Sequence, residues 1–280
     1  MKISIIIPIY NEENTIKNFI KTINDLKNDC EIIFVDGGSS DNTLQLIPDE
    51  FCVYKSPKGR ANQMNFGAKK STGDVLFFLH CDSILPREKI NSSRLKKYRN
   101  VEESSANNTT SGLEELSVNN ITSSLEELSA NNITSSLEEL SNNNIITEIE
   151  EVMENYDVGC FGVRFNSKSI LMKICGVMSN IRVKYGNIAF GDQGIFIKRE
   201  LFFEIGGFPD LRIMEDYQFS LNLKRKCIKI GMTKNRITTS ERRFLEGGRL
   251  RVMWKMQYLR FLYRHNIDIN RVSNKYNDIR

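Results

Sequence analysis

The chain has 280 residues, of which 40% are hydrophobic, and a formal net charge of +4. This size predicts one globular domain of about 200–250 residues, with two domains as the alternative. Six scattered cysteines without a CxxC pair argue against a zinc site or a disulfide framework. No apolar run reaches the roughly 18 residues of a membrane span, and no signal peptide is visible, so we expect a cytoplasmic protein.

The net charge is unevenly distributed along the chain. Residues 101–154 contain 12 Glu and no Asp, Lys or Arg, so that all 39 basic residues but only 23 of the 35 acidic residues lie elsewhere. An excess of positive charge favours anionic partners such as nucleotide diphosphates, phospholipid surfaces or nucleic acid. The alternative is a lysine-rich composition without a functional cause.

The first 80 residues alternate between apolar strands and helices. Strands are predicted at Lys2–Ile9, Glu31–Val35, Cys52–Tyr54 and Val75–His80. Helices are predicted at Glu12–Leu26, Asp41–Ile47 and Arg60–Lys70. Apolar strands separated by helices predict an α/β fold with a parallel sheet that is covered on both faces. In such sheets ligands bind beyond the carboxyl ends of the strands.

A tandem repeat of 12 residues follows this pattern. Its four copies, VEESSANNTTSG, LEELSVNNITSS, LEELSANNITSS and LEELSNNNIITE, fill residues 101–148. Because the repeat length is not a whole number of helical turns, its leucines do not collect on one helical face. We therefore predict that residues 101–150 are an acidic insertion that is mostly disordered or weakly helical, with docking of a partner as the alternative.

Three of the predicted strands end in polar clusters. The clusters are Pro8-Ile-Tyr-Asn-Glu12, Val35-Asp-Gly-Gly-Ser-Ser-Asp41 and His80-Cys-Asp82. A carboxylate followed by two glycines suits close approach of a nucleotide, because the acid can bond ribose or base and the glycines leave room. The alternative is a tight turn at Gly37-Gly38 followed by a serine that caps the next helix.

These clusters resemble family-2 glycosyltransferases of the GT-A fold, and more narrowly the subgroup called the radical-SAM/selenodomain-associated transferase 2 type. The motifs that carry the narrower resemblance are Ser56-Pro-Lys-Gly-Arg-Ala-Asn-Gln-Met-Asn65, Phe78-Leu-His-Cys-Asp82, Gly191-Asp-Gln-Gly194, Gly206-Gly-Phe-Pro209, Met214-Glu-Asp216 and Thr239-Ser-Glu-Arg-Arg-Phe244. The resemblance covers residues 1–95 and 155–265. It implies a GT-A (Rossmann-like) nucleotide-diphospho-sugar transferase fold with a central, mostly parallel sheet.

The resemblance and the residue pattern together predict four regions in the chain. Residues 1–100 would form the nucleotide-sugar-binding half, and residues 101–150 the insertion. Residues 151–246 would form the acceptor-side half, and residues 247–280 a basic amphipathic helix with a tail.

The resemblance also implies a donor site in the first half. The residues expected to bind the donor are Pro8, Tyr10, Asn11, Glu12, Asp36, Gly37, Arg60, Gln63 and Asp82. Asp82 matches the last acid of the DXD-type motif, which holds Mn²⁺ or Mg²⁺ on the diphosphate. His80 stands where the first acid of that motif is expected, so one carboxylate is left, and phosphate oxygens and water would complete the coordination.

The second half is expected to bind the acceptor and supply the catalytic base. By resemblance the base is Asp216, which takes the proton from the attacking hydroxyl. Glu215 and Arg243 are expected to act with it in catalysis, and the contacts to acceptor or phosphates are Asp192, Gln193 and Arg242. One base without a second nucleophilic acid predicts inversion at the anomeric carbon. Alternatively, Glu215 and Asp216 are ordinary acids in the first turn of a helix.

The segment Arg249–Arg264 is predicted to be a basic amphipathic helix. Its residues in helical register include Leu250, Met253, Trp254, Gln257 and Phe261. Such a helix can lie on an anionic membrane, which would make the protein peripheral at the inner membrane face. The default alternative is that Trp254 and Phe261 pack on the core of the domain.

The predicted function is transfer of a sugar from a nucleotide-diphosphate donor, with UDP as the leading nucleotide, to a glycan, lipid or small-molecule acceptor. Because His80 alters the metal motif, a catalytically inactive nucleotide-sugar-binding protein is the alternative. A nicotinamide-dependent dehydrogenase is disfavoured, since no GxGxxG follows the first strand. The chain carries no signature of nucleic-acid binding, and we expect no such partner.

Overall fold

The computed structural model describes residues 1–86, 145–239, 241, 244–245 and 247–265. One compact unit comprises Met1–Pro86 and Thr147–Arg280, and Arg87–Ile146 falls outside it. Residues 101–144, which are all of the 12-residue repeat but its last four residues, lie outside the described residues, as do the predicted site residues Arg242 and Arg243.

An eight-stranded sheet forms the centre of this unit. Its strands are β1 (Ile3–Ile9), β2 (Cys30–Asp36), β3 (Cys52–Lys55), β4 (Val75–Phe78), β5 (Ser83–Ile84), β6 (Val158–Phe165), β7 (Ile195–Lys198) and β8 (Ile230–Thr239). The order in the sheet is β3-β2-β1-β4-β7-β6-β8-β5. The first four strands in this order are parallel, as are β6 and β8, and the other pairs are antiparallel. The predicted α/β fold with a mostly parallel sheet is confirmed.

Seven helices are described around the sheet. They are α1 (Ile16–Ile23), α2 (Arg60–Lys70), α3 (145–153), α4 (Ile170–Gly186), α5 (Arg199–Glu204), α6 (Glu215–Arg225) and α7 (Arg249–Arg264). The bounds of α2 and α7 are those predicted. In the described part of the chain, no helix is long and apolar enough to cross a membrane.

Two predicted helices differ from the structure. Helix α1 begins at Ile16 rather than Glu12, because the backbone N–H of Glu12 donates to the Thr43 hydroxyl at 2.7 Å and holds this segment as a loop. The prediction of a helix over Asp41–Ile47 is wrong, since only a 3-10 turn forms, at Leu44–Leu46. There the Asp41 side chain accepts the backbone N–H of Thr43 at 3.0 Å, and such local bonds compete with helix formation.

Helix α3 begins inside the segment that was predicted as the insertion. The Glu148 carboxylate accepts the backbone N–H of Asn235 at 3.1 Å, and Ile149 and Met153 are buried. Their spacing of four residues puts both side chains on one helical face. The packed part of the second half therefore starts before residue 151.

The sheet buries apolar side chains on both faces. On one face Ile6, Ile33, Leu76 and Ile195 share a cluster with Phe219 of α6. On the opposite face Phe77, Phe161 and Phe196 pack against one another in edge-on and tilted pairs, and Phe34 packs edge-on against Phe51. Truncating a buried phenylalanine to alanine costs about 3–5 kcal/mol of folding free energy. Burial on both faces explains why the strands are continuous apolar runs.

The antiparallel pair β4–β7 joins the two halves of the chain. Phe78 of β4 pairs with Ile195 of β7. Because these strands run in opposite directions, the residues after β4 and those before β7 meet at one edge of the sheet. His80-Cys-Asp82 and Gly191-Asp-Gln193 are therefore neighbours.

Candidate functional site

The loops that follow β1 and β2 are bonded to each other. The backbone N–H of Asn11 donates to the Ser39 hydroxyl at 2.9 Å, and the N–H of Ser40 donates to the Asn11 amide oxygen at 2.9 Å. Asn11 has a left-handed backbone with φ of 54°, which asparagine tolerates better than most residues. The two loops are thus bonded to each other at the carboxyl ends of the strands.

The Asp36 side chain holds the backbone of the loop that follows β2. Its carboxylate accepts the backbone N–H groups of Gly38 and Ser39, each at 3.0 Å, and its side chain is buried. Gly38 has φ of 88°, where a side chain would be strained. The Asp36 carboxylate therefore fixes the backbone of the loop that was predicted to face the nucleotide.

Gln63 supports both strand ends. Its amide nitrogen donates to the carbonyl oxygens of Ile9 and Val35, at 2.7 and 2.8 Å. A β-carbon on Gly37 would lie 3.0 Å from this amide, so a side chain there would displace Gln63. Gln63 therefore lies beneath the loops.

Tyr10 and Lys58 lie beside the loops that follow β1 and β2. The Lys58 ammonium lies 3.9 Å from the centroid of the Tyr10 ring, and Tyr10 is partly exposed. Pro8 is inside β1 and rigidifies the strand end, since its ring fixes φ. An exposed aromatic ring and a cation are thus available beside the loops.

Helix α2 ties the first half to the second. Arg60 donates to Glu215 at 3.2 Å, and the Glu215 side chain is only 4% exposed. Asn65 exchanges two hydrogen bonds with the backbone of Phe208, at 2.7 and 2.9 Å. The predicted donor residue Arg60 and the predicted acceptor-side residue Glu215 are therefore in direct contact.

Asp82 stands in the turn between β4 and β5. The turn is closed by the Ser83 N–H, which donates to the His80 carbonyl at 3.1 Å, and the Asp82 side chain is exposed. Burial raises the pKa of the Cys81 thiol well above its usual value, and the negative charges of Glu12 and Asp82 raise it further. Glu12 and Asp82 thus lie close enough to act on the same thiol.

The side chains near Asp82 fit a divalent cation that is coordinated in part by substrate phosphates and water. Among the described residues, no group of three or more His, Cys, Asp and Glu side chains could hold a metal ion. Mg²⁺ and similar hard ions are commonly held by one or two carboxylates together with substrate phosphates and water. The exposed Asp82 carboxylate, with Glu12 nearby, suits that second arrangement.

Asp216 meets the end of β4 from the other half. Its carboxylate accepts the N–H of Gly191 at 2.7 Å through one oxygen and the N–H of Tyr217 at 2.7 Å through the other. A β-carbon on Gly191 would lie 2.8 Å from the His80 Nε2 atom and 3.5 Å from the Asp216 carboxylate. His80, Gly191 and Asp216 are therefore adjacent, and the glycine leaves the gap between them open.

Gln193 and Asp192 lie beside this group. Gln193 is fully buried, and its side-chain oxygen accepts hydrogen bonds from Arg182 at 2.9 Å and from the N–H of Phe190 at 3.2 Å. Asp192 is partly buried, and its charge acts on Arg182. Gln193 thus orients Arg182 rather than facing an open cavity.

Sequence reasoning missed three arginines near Asp216, which are Arg182, Arg260 and Arg264. They do not belong to the motifs that drew attention to the site. A signal was present, because neither α4 nor α7 contains an acidic residue while together they carry eight basic ones. The absence of acidic residues from 170–186 and from 249–264 would have pointed to this region.

A cleft of about 620 Å³ lies elsewhere on the unit. It is lined by Arg164, Phe165, Asn166, Ser167, Lys168, Ser169, Thr238, Glu241 and Arg249. It contains none of the predicted site residues. The candidate site is therefore defined by the meeting of strand ends and not by the size of a cavity.

Comparison with known sequences gives a match in the first half. Residues 4–93 match the family model described as glycosyl transferase family 2. An uncharacterized glycosyltransferase from Rickettsia bellii is 33% identical over 98 residues, which are 32% of this chain and 14% of that protein. An undecaprenyl-phosphate 4-deoxy-4-formamido-L-arabinose transferase from Pseudomonas fluorescens is 32% identical over 101 residues, 31% of this chain and 30% of that protein. The matches thus span less than a third of these relatives.

Solved structures match over most of the chain. A mannosyltransferase from Pyrobaculum calidifontis, in complex with GDP-Man and Mn²⁺, has a TM-score of 0.54 and 15% identity, covering 94% of this chain and 62% of that one. Glucosyl-3-phosphoglycerate synthase from Mycobacterium tuberculosis, in complex with Mn²⁺, UDP and phosphoglyceric acid, has a TM-score of 0.53 and 14% identity, covering 95% and 79%. Residues 4–93 are therefore similar to the family-2 glycosyltransferases, and the chain has the GT-A fold.

Proposed function

We propose that this protein transfers a sugar from a nucleotide-diphosphate donor, with UDP as the leading nucleotide, to an acceptor hydroxyl with inversion. The observation that carries the proposal is the hydrogen bond from Gly191 to Asp216 beside His80, at the sheet edge that also bears Asp82. Asp216 as a general base and Asp82 as the carboxylate on the diphosphate side then belong to one site. The complexes of the two structural relatives with GDP-Man or UDP support a nucleotide-diphosphate donor.

In this proposal Asp216 is the general base. A carboxylate offers about four acceptor positions, and the two backbone N–H groups of Gly191 and Tyr217 occupy one on each oxygen. A free position can take the proton of the acceptor hydroxyl as its oxygen attacks the anomeric carbon. The bond to the nucleoside diphosphate breaks in the same displacement, which inverts the configuration. General-base assistance of this kind contributes about 10²–10⁴-fold in rate.

The remaining residues position and bind. Asp82 would hold a divalent cation, Mn²⁺ or Mg²⁺, which neutralises charge on the departing diphosphate when bound. Arg60 holds Glu215, the neighbour of Asp216, at 3.2 Å and so links the donor loops to the base. Arg243 and Arg242 are proposed to contact phosphates, and Asp192 the acceptor.

A catalytically inactive nucleotide-sugar-binding protein is the second candidate. It is favoured by His80 at the first position of the metal motif and by the small number of carboxylates near Asp82. The two candidates agree on donor binding and differ on turnover.

One experiment tests both candidates. Thermal shifts are measured with UDP-, GDP- and dTDP-sugars in the presence and absence of Mn²⁺, because ligand binding to the folded state raises its stability. Donor hydrolysis is then followed with the sugar that binds. Hydrolysis above background favours the enzyme, binding without hydrolysis or transfer favours the inactive protein, and no binding to any donor would contradict both.

We also propose that α4 and α7 contact an anionic membrane surface. The prediction that Trp254 and Phe261 pack on the core is wrong, since Trp254 is 75% exposed and Phe261 is 56% exposed, while Val252, Leu259 and Leu262 face inward. Large exposed apolar side chains recur on both helices at helical spacing: Ile170, Ile174, Val177, Met178, Ile181 and Tyr185 on α4, and Leu250, Trp254, Tyr258 and Phe261 on α7.

Charge selects the partner of this surface. The two helices share a packed cluster around Met172 and Val252, so the exposed side chains lie on neighbouring helices. Neither helix has an acidic residue, and four of their eight basic residues are exposed. Basic amphipathic surfaces with exposed Trp and Phe bind anionic lipid through both burial and charge.

Vesicle binding tests this surface. We expect co-sedimentation with phosphatidylglycerol-containing vesicles to exceed that with phosphatidylcholine vesicles, and to fall about tenfold in the double variant Trp254→Ser, Phe261→Ser. Phe203→Ser, which removes an exposed ring on α5, is the control. Equal binding by both variants, or no preference for anionic vesicles, would overturn the assignment.

A further inference from the structure

Three guanidinium groups gather around two aromatic rings on the acceptor side of the site. The guanidinium carbon of Arg182 lies 3.8 Å from the centroid of the Phe190 ring, and that of Arg260 lies 5.7 Å from the same ring. The guanidinium of Arg264 lies 5.8 Å from the centroid of Tyr217, whose ring is 6.0 Å from that of Phe190. We call Arg182, Arg260 and Arg264 the arginine cluster.

The cluster concentrates positive charge in a partly buried place. Burial lowers the pKa of Arg260, and the positive charges of Arg182 and Arg264 lower it further. Burial also lowers the pKa of Arg182, which the carboxylates of Asp192 and Asp216 oppose. Like charges at such short range repel strongly when water is partly excluded.

The described contacts leave hydrogen-bond donors of the cluster available. Arg182 donates to the side chain of Gln193 at 2.9 Å and to the carbonyl of Ile188 at 3.3 Å, and Arg264 donates to the Tyr217 hydroxyl at 2.6 Å. Arg260 makes no hydrogen bond to any other residue that the structure describes. Since each guanidinium has five N–H donors, the cluster can bind an anion through several of them.

The position of the cluster relates this anion to the proposed reaction. Arg264 bonds Tyr217, the residue after Asp216, and Arg182 bonds Gln193, two residues after the glycine that bonds Asp216. The cluster therefore lies on the same side of the site as the proposed base Asp216, where α4 and α7 pack. The donor loops after β1 and β2 approach the site from the other half.

We propose that the arginine cluster binds a phosphate group of the acceptor, with Arg260 as its main ligand. The guanidinium fork matches phosphate oxygens in bidentate fashion, and a phosphate would relieve the repulsion among the three arginines. The proposal rests on the proposed function and narrows the acceptor to a phosphate-bearing molecule. Such a phosphate can belong to a lipid headgroup or to a soluble phosphomonoester, and both offer the same oxygens to the cluster.

Arg260→Gln tests the proposal, and Arg251→Gln is the matched control. Arg251 is exposed on the same helix, nine residues earlier and so about half a turn away in direction, and its substitution removes the same charge. Calorimetric titrations use citronellyl phosphate, glycerol 3-phosphate and citronellol at constant ionic strength. We expect the two phosphates, but not the alcohol, to bind the wild-type protein, and Arg260→Gln to weaken them by at least about tenfold.

Citronellyl phosphate and glycerol 3-phosphate distinguish a lipid acceptor from a soluble one. Tighter binding of citronellyl phosphate indicates a lipid acceptor, tighter binding of glycerol 3-phosphate a soluble one, and both results support the cluster. Affinity for phosphates that is unchanged in Arg260→Gln, or reduced equally in Arg251→Gln, would overturn the proposal. If Arg260→Gln does not fold, Arg264→Gln takes its place, since Arg264 is exposed and has one described hydrogen bond.

Titration with UDP and Mn²⁺ distinguishes this inference from the proposed function. We expect the UDP affinity of Arg260→Gln to equal that of the wild type. A loss of UDP affinity with unchanged phosphate affinity would assign the cluster to the donor. This result would refute the acceptor-phosphate site and leave the proposed function intact. Absence of donor binding in the wild-type protein would refute the proposed function, whatever the phosphate titrations give.

Discussion

The proposed donor side and the proposed acceptor side of the site are built differently. On the donor side, backbone N–H groups and short polar side chains bond two adjacent loops to each other, as in the paired bonds between Asn11 and residues 39–40. On the acceptor side, long side chains from separate helices converge on aromatic rings, as in the arginine cluster around Phe190. The donor side is held by local backbone geometry, and the acceptor side by tertiary packing.

This difference explains what each side reveals in a sequence. Loops that depend on backbone geometry need particular residues in consecutive positions, such as the glycine at 38 with its positive φ. Long side chains that meet from distant helices follow no spacing rule. The family match accordingly covers residues 4–93, which include the loops after β1 and β2.

The largest effect is expected for Asp216→Asn. The amide keeps the size of the side chain but cannot take a proton, so turnover should fall about 10²–10⁴-fold while donor affinity stays unchanged. Transfer or donor hydrolysis is measured together with UDP titration. Asp210→Asn, at an exposed position, is the control.

A structural effect of Asp216→Asn must be separated from a catalytic one. Asn offers one side-chain oxygen to the two backbone N–H groups of Gly191 and Tyr217, so the free energy of unfolding should fall by about 1 kcal/mol. Near-normal turnover in this variant would mean that the base lies elsewhere.

The next effect is expected for Asp82→Ala. Removing the exposed carboxylate after β4 should weaken Mn²⁺-dependent binding of a UDP-sugar at least about tenfold, or 1.4 kcal/mol. Binding without the metal should change less, because the carboxylate acts through the cation. The same titration on Asp49→Ala, an exposed acid away from the strand ends, should match the wild type. Equal affinities in both variants would remove Asp82 from the donor site.

A smaller effect on stability is expected for Arg60→Gln. The substitution leaves the Glu215 carboxylate, which is only 4% exposed, without its arginine, whereas Arg60 itself is 28% exposed. Partial exposure screens the pair, so the free energy of unfolding should fall by about 1–3 kcal/mol in urea titrations. Lys27→Gln breaks the exposed pair with Glu50 and should cost less than about 1 kcal/mol. Similar losses in the two variants would show that the link between the halves is weak.

The smallest effect is expected for deletion of residues 101–144. Loop-closure free energy changes by only about 0.6 kcal/mol for each doubling of loop length, so donor affinity and melting temperature should stay close to the wild type. Deletion of residues 101–153 also removes α3 with the buried Ile149 and should destabilise the protein clearly. Loss of folding in the shorter deletion would show that the repeat segment is required.

The sheet and the strand-end loops could be predicted because their causes are local. Continuous apolar runs indicated β1, β2 and β4, and the glycine pair indicated the loop that Asp36 supports. The helix at 41–47 failed for a local reason as well, since the side chains of Asp41 and Thr43 bond the backbone. Asp41 and Thr43 are turn-forming residues that were visible in the sequence, but the helix prediction gave more weight to the spacing of the apolar residues.

The acceptor side could not be predicted to the same depth. The antiparallel pairing of β4 with β7 joins residues more than 100 positions apart, and nothing in either strand encodes the partner. Without this pairing, Gly191 cannot be assigned to the space between His80 and Asp216. Arg182 and Arg260 become neighbours only after α4 and α7 pack, so their role was inaccessible from the sequence.

The cysteines of the protein divide into reactive and protected ones. Burial raises the pKa of Cys30 and Cys160 to about 12 and that of Cys81 well above its usual value, and it also raises the pKa of the half-buried Cys175. These four thiols therefore stay protonated and react slowly with alkylating reagents. Cys52 on β3 and Cys227 after α6 are exposed, one in each half. The natural sequence thus provides two attachment points for spectroscopic labels, between which a change in distance on donor binding can be measured without any substitution.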